Sequence, residues 1–576
     1  MKRLFLFIIL FLTFSILTHA QVVYEPVANN PVYELLDELA ALRVISINSL
    51  VKPYSRVFIA NKLYQALENG QKLNKRQLEE VRFYLKDYSF EAGLNSNLIN
   101  GYVSGSRESR AVSRDSGVVS RNLGIGGENP VTQSPSHPAT FQLNPISFRL
   151  NTAPFKLTIA PALGARFMVN ENGNFLEVLG GGEAYGYLTK HIGYYVSVKH
   201  VHQSVPLVNP VMLTLEEGRS WNYLDDGSVA NTEWKGGLSV GWKWGDFGVY
   251  KDRPIWGNAN HGSNIMSGHA PSFPYIQLHL KPAKWIEFYS MTGFLQSNVI
   301  DSSRSSFSAG SEEIKYRNKY FSANFFTITP WKGLDLSIGN SIFWSDVFRV
   351  GYLMPFNLYK SVDQMYRSTA GYYGSINTND DGHLFADICS RNIKHLNLYL
   401  ALWIDELNMS RFFKTNQHNL LSWKIGFSLY DLPVKNLSLT VEGITTRPAT
   451  YEEYVPAHLY ENDDYSFGNY LRGDAWEIYV CLNYRPIRGM KISASYNVAQ
   501  RGGYVYLKDN WTTYPLAQNL IFNQTTIGVN ATYNITTNVQ ANIAYTFNQY
   551  AGDVRFIPLI MRGSTNSVSV GVSLGF

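Results

Sequence analysis

The sequence predicts an all-β chain, a transmembrane antiparallel β-barrel preceded by a small N-terminal helical bundle. Three observations predict it. Of 576 residues only 16% are charged while 14% are aromatic, with 38 Tyr, 32 Phe and 12 Trp, against ~25% charged residues in an average globular chain. A helical membrane protein is excluded, because a spanning helix needs ~20 consecutive apolar residues and no such run follows residue 20. The mean hydropathy of −0.16 agrees. Third, from about residue 88 apolar residues recur at every second position in hairpins that alternate short turns with long polar segments. That asymmetry belongs to outer-membrane barrels, whose turns are periplasmic and whose loops are extracellular; a soluble sandwich or propeller has no reason to alternate so.

Residues 1–20 read as a secretory signal: Lys2 and Arg3, an apolar run from Leu4 to Leu12 continuing through Phe14, Ile16 and Leu17, and the small residue Ala20 before Gln21. The net charge of +5 falls by two when Lys2 and Arg3 leave, too little and too dispersed for a nucleic-acid partner. Residues 21–88 form the bundle, expected to be periplasmic. Asn30 and Pro31 open a first helix carrying Val32, Leu35, Leu36, Leu39 and Leu42 at helical spacing. Ser55 opens a second with Phe58, Ile59, Leu63 and Leu67 that stops at Asn69-Gly70. Asn74 precedes a third with Leu78, Val81 and Leu85. Each is short and amphipathic, so the three pack together or against a larger body.

Residues 89–576 are assigned to the barrel and its long extracellular loops. Trp476, Ile478, Val480, Leu482 and Tyr484 share one face, and Met490, Ile492, Ala494, Tyr496 and Val498 return after a turn at Arg485–Gly489. The last strand alternates Val568, Val570, Val572, Leu574 and Phe576 with small or polar residues. An amphipathic strand ending in an aromatic matches the terminal strand of outer-membrane barrels, so the barrel-assembly machinery and outer-membrane lipids are expected partners. Short turns centre near residues 283, 331, 392, 433, 487 and 536, with earlier ones near 152, 190 and 245. Counting back gives roughly twenty strands, an even number if both ends lie on the periplasmic side. Cys389 and Cys481 fall on strands about four apart, too distant for a disulfide at ~4.7–4.9 Å per strand, and are expected to be free thiols facing the lumen.

Enzyme signatures are lacking: there is no HExxH, GxSxG, P-loop or CxxC, and nothing signals a cofactor or a metal centre. Acidic clusters at Asn379-Asp380-Asp381 and Glu461-Asn462-Asp463-Asp464 read as solvated loop tips first and as cation or sugar sites second. Charges within strands must face the lumen or the interface. Asp387, Arg391, Lys394, Asp405, Glu406 and Arg411 flank one hairpin, and Asp346, Arg349, Lys360 and Asp363 precede it. Such charges either brace a barrel by pairing across it or contact a ligand.

A set of motifs carries a family resemblance. Asp252-Arg253-Pro254-Ile255-Trp256-Gly257 and then Gly262-Ser263-Asn264-Ile265-Met266-Ser267-Gly268-His269-Ala270-Pro271-Ser272-Phe273-Pro274 resemble the strand-and-loop signature of the Wzi capsule-assembly family. So do Gly293-Phe294-Leu295 with Asp301-Ser302, Gly339-Asn340-Ser341, Met354-Pro355-Phe356 before Tyr359-Lys360-Ser361-Val362-Asp363, and Ser390-Arg391-Asn392-Ile393 before Ile404-Asp405-Glu406-Leu407. Lys52-Pro53-Tyr54-Ser55-Arg56 resembles the helical segment of the Bacteroidetes branch. After Trp256-Gly257 the family often continues with proline and glycine, where this chain has Asn258-Ala259.

The resemblance implies an outer-membrane barrel of about eighteen strands, within a range of 16–20 set by the tally. It also implies a helical bundle at the periplasmic mouth, a blocked lumen, and a non-catalytic surface lectin for capsular or related polysaccharide. Candidate polysaccharide-binding residues, chosen by motif position and polarity, are Trp256, Asn260, His261, Asp301, Lys360, Asp363, Asp405, Glu406 and Arg411. The rival reading is a porin or substrate-specific channel. The plugged reading expects silence in a planar bilayer that turns to conductance when the 343–383 loop is trimmed. A surface hydrolase would need an acid and base pair at the outer rim.

Overall fold

The computed structural model describes residues 22–27, 30–88, 91, 140–144, 147–152, 155–308, 311–373, 380–414, 419–503 and 516–575. The signal segment 1–20, Asn379 and the terminal Phe576 lie outside the described residues.

Eighteen strands close into one antiparallel barrel. In chain order they are β1 Lys156–Asn170, β2 Gly173–Tyr187, β3 Ile192–Gln203, β4 Val229–Trp242, β5 Gly245–Asp252 and β6 Phe273–Ala283. Next come β7 Ile286–Leu295, β8 Lys319–Trp331, β9 Leu334–Ser345, β10 Asp381–Ser390, β11 Leu396–Glu406 and β12 Leu420–Tyr430. The ring ends with β13 Leu437–Thr446, β14 Ala475–Tyr484, β15 Met490–Gly502, β16 Leu520–Thr536, β17 Val539–Gly552 and β18 Gly563–Leu574. β18 pairs with β1 from Val568↔Val169 to Leu574↔Leu163 and shuts the ring of eighteen. A short hairpin, Thr140–Asn144 with Ser147–Asn151, extends β1 at its start through Leu150↔Leu157. Its second strand precedes the turn near residue 152 and adds to the sequence tally without being one of the eighteen of the ring.

The alternation fixes which side chains meet lipid. Val568, Val570 and Val572 are exposed, as are Ile527, Val529 and Ile543 on neighbouring strands, so the period-2 apolar face is the outer face. Turns of 2–6 residues join the strands at one end, among them 284–285, 332–333, 431–436 and 537–538, and the long segments lie at the other. Cys389 and Cys481 sit at inward positions on β10 and β14 as free, buried thiols.

The helices are α1 Val32–Ala41, α2 Arg56–Glu68 and α3 Lys75–Asp87. Their starts follow from their caps: the Ser55 hydroxyl accepts from the Phe58 amide at 3.2 Å, and Asn74 and Gln77 form a reciprocal capping box. Leu36, Leu39, Ile59, Leu63, Val81 and Leu85 are completely buried between them, each contributing ~1.5–3 kcal/mol. The bundle docks on the short turns. Arg485 and Lys491 both pair with Glu34, the latter at 2.7 Å, and the His395 amide donates to Ala41 O at 2.9 Å.

Two stretches flanking α1 run into the lumen. Tyr24 reaches Asp246 of β5 at 3.0 Å and takes a hydrogen bond from Gln277 of β6 at 3.0 Å. A Cβ at Gly193 would lie 2.0 Å from Val22 O, so only glycine lets this segment approach β3. Farther on, Val51 and Lys52 pair antiparallel with Trp256 and Ile255 of the segment between β5 and β6. That segment, residues 253–272, crosses the barrel to the opposite wall.

Of the 343–383 loop, expected to block the lumen, the segment 346–373 lies instead on the outside, while 343–345 and 381–383 belong to the strands β9 and β10. Inward positions of β8 and β9 include Phe325, Ser337 and Phe343; Asn324, Asn340, Ile342 and Trp344 alternate with them and point outward. The amide of Asn324 donates to Pro355 O and Asn357 O, each at 2.8 Å, and Asn340 Oδ1 accepts from the Tyr359 amide at 2.8 Å. Helix α4, Tyr359–Tyr373, follows, and Tyr352 and Tyr359 bury Ile342 and Trp344 beneath them. Val350, Met354, Phe356, Leu358 and Met365 remain exposed on the strap's own outer side. Irregular backbone at lipid depth requires internal partners, and the two outward asparagines provide them.

Candidate functional site

The lumen is filled by a packed core. Trp256, 1% exposed, stands edge-on to Phe325 of β8 at 4.9 Å and near Phe385 of β10 at 5.9 Å. Leu50, Val51, Ile265, Met266, Phe321 and Phe343 join the same apolar cluster. Beyond Trp256 the crossing segment meets a polar wall with matched partners. Asn258 donates to Asp387 of β10, and the Asn260 and His261 amides donate to the two oxygens of Glu442 on β13 at 2.6 and 3.1 Å. The His261 ring lies flat on Tyr479, 3.8 Å between centroids, with Nε2 3.2 Å from Glu477. Lys424 of β12 pairs with Glu442 at 2.9 Å, and both side chains are buried. A buried charge pair holds only when its remaining groups are satisfied, and here the crossing segment satisfies them.

Three long loops cap this plug: 204–228, 296–318 and 447–474. They meet at the hairpin Glu461–Ser466, whose turn residues Asp463 and Asp464 have φ of 53° and 62°, a conformation that Asp tolerates better than most residues. Ser220 hydrogen-bonds Asp463, and Asn298 reaches Asp463 at 3.1 Å and Asp464 at 2.8 Å. Arg472 pairs with Glu461 at 3.1 Å. The acidic cluster 461–464 is therefore the knot of the cap, not a solvated tip. Below it, the loop 447–474 grips the crossing segment through Tyr451 OH to Asn264 O at 2.8 Å and Tyr460 OH to Ile265 O at 2.7 Å. Burial pushes the His269 imidazole down to about 4. The outer surface of the cap shows rings: Tyr223, Tyr316 and Tyr454 are exposed, with Asp225, Asp226 and Glu452 exposed beside two of them in sequence.

The residues singled out from sequence do not converge on one place. Trp256, Asn260 and His261 belong to the plug: the Trp256 ring packs on Phe325 and Phe385, and the backbone amides of Asn260 and His261 and the His261 ring are taken by the wall. Asp301 is held in its own turn by Ser303 and Arg304, which lower its carboxyl to about 2. Lys360 and Asp363 lie on α4 outside the barrel, where Asp363 is buried and paired with Arg367 at 3.0 Å. Asp405 faces the lumen near the rim and accepts from the Tyr451 amide at 3.3 Å. Glu406 and Arg411 pair with each other at 3.4 Å. The charges of the 381–411 hairpin mostly reach the plug and bundle rather than bracing the barrel across its bore: Asp387 takes Asn258, and Arg391 reaches Asp37 and Ser49. Sequence reasoning passed over His383, although its alternation with Asp381, Phe385 and Asp387 along β10 marks it as inward.

No family model matches the sequence, and no curated protein matches it. Among solved structures, Wzi of Escherichia coli, described as an outer-membrane protein involved in group 1 capsule assembly and a carbohydrate-binding β-barrel, superposes with a TM-score of 0.53. The identity is 11%, over 97% of this chain and 100% of that one. Pseudomonas aeruginosa OccD3 gives a TM-score of 0.39 at 11% identity, over 72% and 90% of the two chains. OpdK of the same organism, solved with vanillate, gives 0.40 at 7% over 73% and 98%. At such identities the likeness is one of fold. Fold and lumen together define an eighteen-strand barrel of the outer-membrane type with a filled bore.

Proposed function

We propose that the protein resides in the outer membrane, with its bundle in the periplasm, as a non-catalytic surface lectin that holds an exported capsular or related polysaccharide. The observation that carries this reading is the filled bore. A chain that spends a packed aromatic core, a buried Lys424–Glu442 pair and three interlocked loops on closing its lumen works at its outer surface. The surface of the cap offers what glycans bind: ring faces at Tyr223, Tyr316 and Tyr454 with carboxylates nearby. Contacts of this kind are individually weak and gain strength by repetition along a polymer. The carbohydrate-binding description of the similarly folded Wzi supports the same reading, as do the family motifs in the sequence. Outer-membrane lipids and the barrel-assembly machinery are the remaining partners.

The test is retention. Cells lacking the protein should shed surface polysaccharide into the medium, and purified protein should bind that polysaccharide in biolayer interferometry. Replacing Tyr223 and Tyr454 together by alanine should weaken binding at least tenfold. If deletion leaves all polysaccharide attached and the purified barrel binds none of it, the proposal fails. Steady single-channel conductance from the wild-type protein would favour a channel instead.

A further inference from the structure

At the lumen side of the outer rim, where β10 begins and β11 ends, three ligand-type side chains converge. Asp381 and His383 are two apart on β10 and share its inward face. The register Leu384↔Ile404 brings His383 opposite Asp405 of β11. One ring nitrogen and one oxygen from each carboxylate lie within 4.8 Å of one another. Glu453 of the cap loop 447–474 bears on Asp381 from above. Among the described residues no Lys or Arg nitrogen lies within 4.0 Å of these three carboxylates. Lys360 and Lys319 offset part of the charge on Asp381 from farther off, but no described cationic side chain touches the group, and buried carboxylates crowded in this way repel one another until protons or a bound cation relieve them.

The histidine points to the cation. His383 is 2% exposed, its ring held between Trp403, stacked at 4.6 Å, and the edge of Tyr460 at 5.0 Å. Nδ1 is 3.3 Å from Ser341 Oγ on β9. Nε2 has no hydrogen-bond partner, although Asp381 Oδ2 stands 2.6 Å away without the alignment a hydrogen bond needs. A fixed imidazole with one nitrogen engaged by a neighbour and the other turned, unbonded, among carboxylate oxygens is how a metal-binding histidine is presented. We propose that Asp381, His383 and Asp405, closed by Glu453, bind one divalent cation that ties the cap loop to the barrel wall. One imidazole with carboxylates suits zinc or manganese better than magnesium or calcium.

The experiment uses the untagged full-length barrel in detergent, stripped with a chelator and titrated calorimetrically with ZnCl2, MnCl2 and CaCl2. Expected are one saturable site, at least tenfold preference for zinc or manganese over calcium, and slower proteolysis of the 447–474 loop when the site is filled. Asp405→Asn should weaken binding about 100-fold, and Ser341→Ala, which removes only the support of the ring, about 10-fold. Heat-modifiable gel mobility verifies that each variant is a closed barrel; if Asp405→Asn does not close, Ser341→Ala carries the comparison. No saturable heat with any of the three ions would overturn the proposal in favour of shared protons. So would calcium binding tighter than zinc, or a closed variant that binds as the wild type does.

Discussion

Trp256→Ala tests whether the plug is held by its aromatic core. The indole is 1% exposed and packed against Phe325 and Phe385, while the residues around it are tied to the neighbouring Val51–Lys52 strand. Truncating a buried Trp to Ala costs ~3–5 kcal/mol. The barrel ladder does not run through Trp256, so the loss falls on the equilibrium between seated and released plug rather than on the ring of strands. At about 1.4 kcal/mol per factor of ten, the released population rises roughly 150- to 4,000-fold. Two measurements read it. Amide exchange over residues 253–272 should accelerate by that factor while the strands keep their protection, and planar-bilayer recordings should change from silence to brief openings. If exchange in 253–272 is unchanged in a variant whose barrel is intact, the core does not hold the plug and the reasoning is wrong.

Glu442→Ala leaves Lys424 buried without its partner and frees the Asn260 and His261 amides; a loss of ~3–5 kcal/mol should appear as a lowered unfolding midpoint, and Lys424→Met in the same chain should restore part of it. Burial raises the carboxyl of Glu34, but Lys491 and Arg485 outweigh it and bring it to about 2. The folded value lies below the unfolded one, so this docking is present above pH ~4.5 and lost as pH falls toward 2. Glu34 is 42% exposed, so Glu34→Gln should cost only about 0.5–1 kcal/mol, read as faster proteolytic release of the bundle at pH 7 and no further effect near pH 2. His269, in the crossing segment and edge-on to Tyr465 of the cap, is neutral when folded, so its contribution is complete above pH ~6.5 and is lost as pH falls toward 4. Limited proteolysis of the cap should speed up over that interval and become flat in His269→Gln. Phe356→Arg puts a charge on the lipid side of the strap and should reduce folding into bilayers by about 2 kcal/mol, whereas a strap in water would tolerate it.

The parts that obey a period were legible in the sequence. Asn74 announced the third helix because an N-cap is a local arrangement, and Val568, Val570 and Val572 announced their strand because alternation across a sheet leaves one solution per face. The destination of loops was not legible. Asn258, Asn260 and His261 look like surface residues until Asp387, Glu442 and Glu477, all far along the chain, supply their partners. Asn324 and Asn340 break the apolar outer face, and that break is the one local sign that something covers it; nothing nearby names the 346–373 segment as the cover. Candidate ligands chosen by motif scattered for the same reason, since a motif fixes chain position and a bore is lined by side chains from strands hundreds of residues apart.

The strap has a consequence for the bilayer. On the flank of β1 and β18 the lipid-facing residues run along the wall from Leu157 to Val169, but on β9 bare wall ends at Ile338, and Asn340, Ile342 and Trp344 lie under the strap. At ~3.3 Å per residue and a strand tilt of about 40°, the exposed wall is roughly 30 Å tall on one flank and roughly 10 Å on the other, with Val350, Phe356 and Met365 making up the difference. The perimeter is thus uneven in both height and rigidity: pleated sheet on one side, a side-chain-padded loop on the other. Mismatch costs fractions of a kcal/mol per ångström, so lipids of different length should be sorted around this barrel, with the compliant flank taking up changes in membrane thickness that the stiff flank cannot.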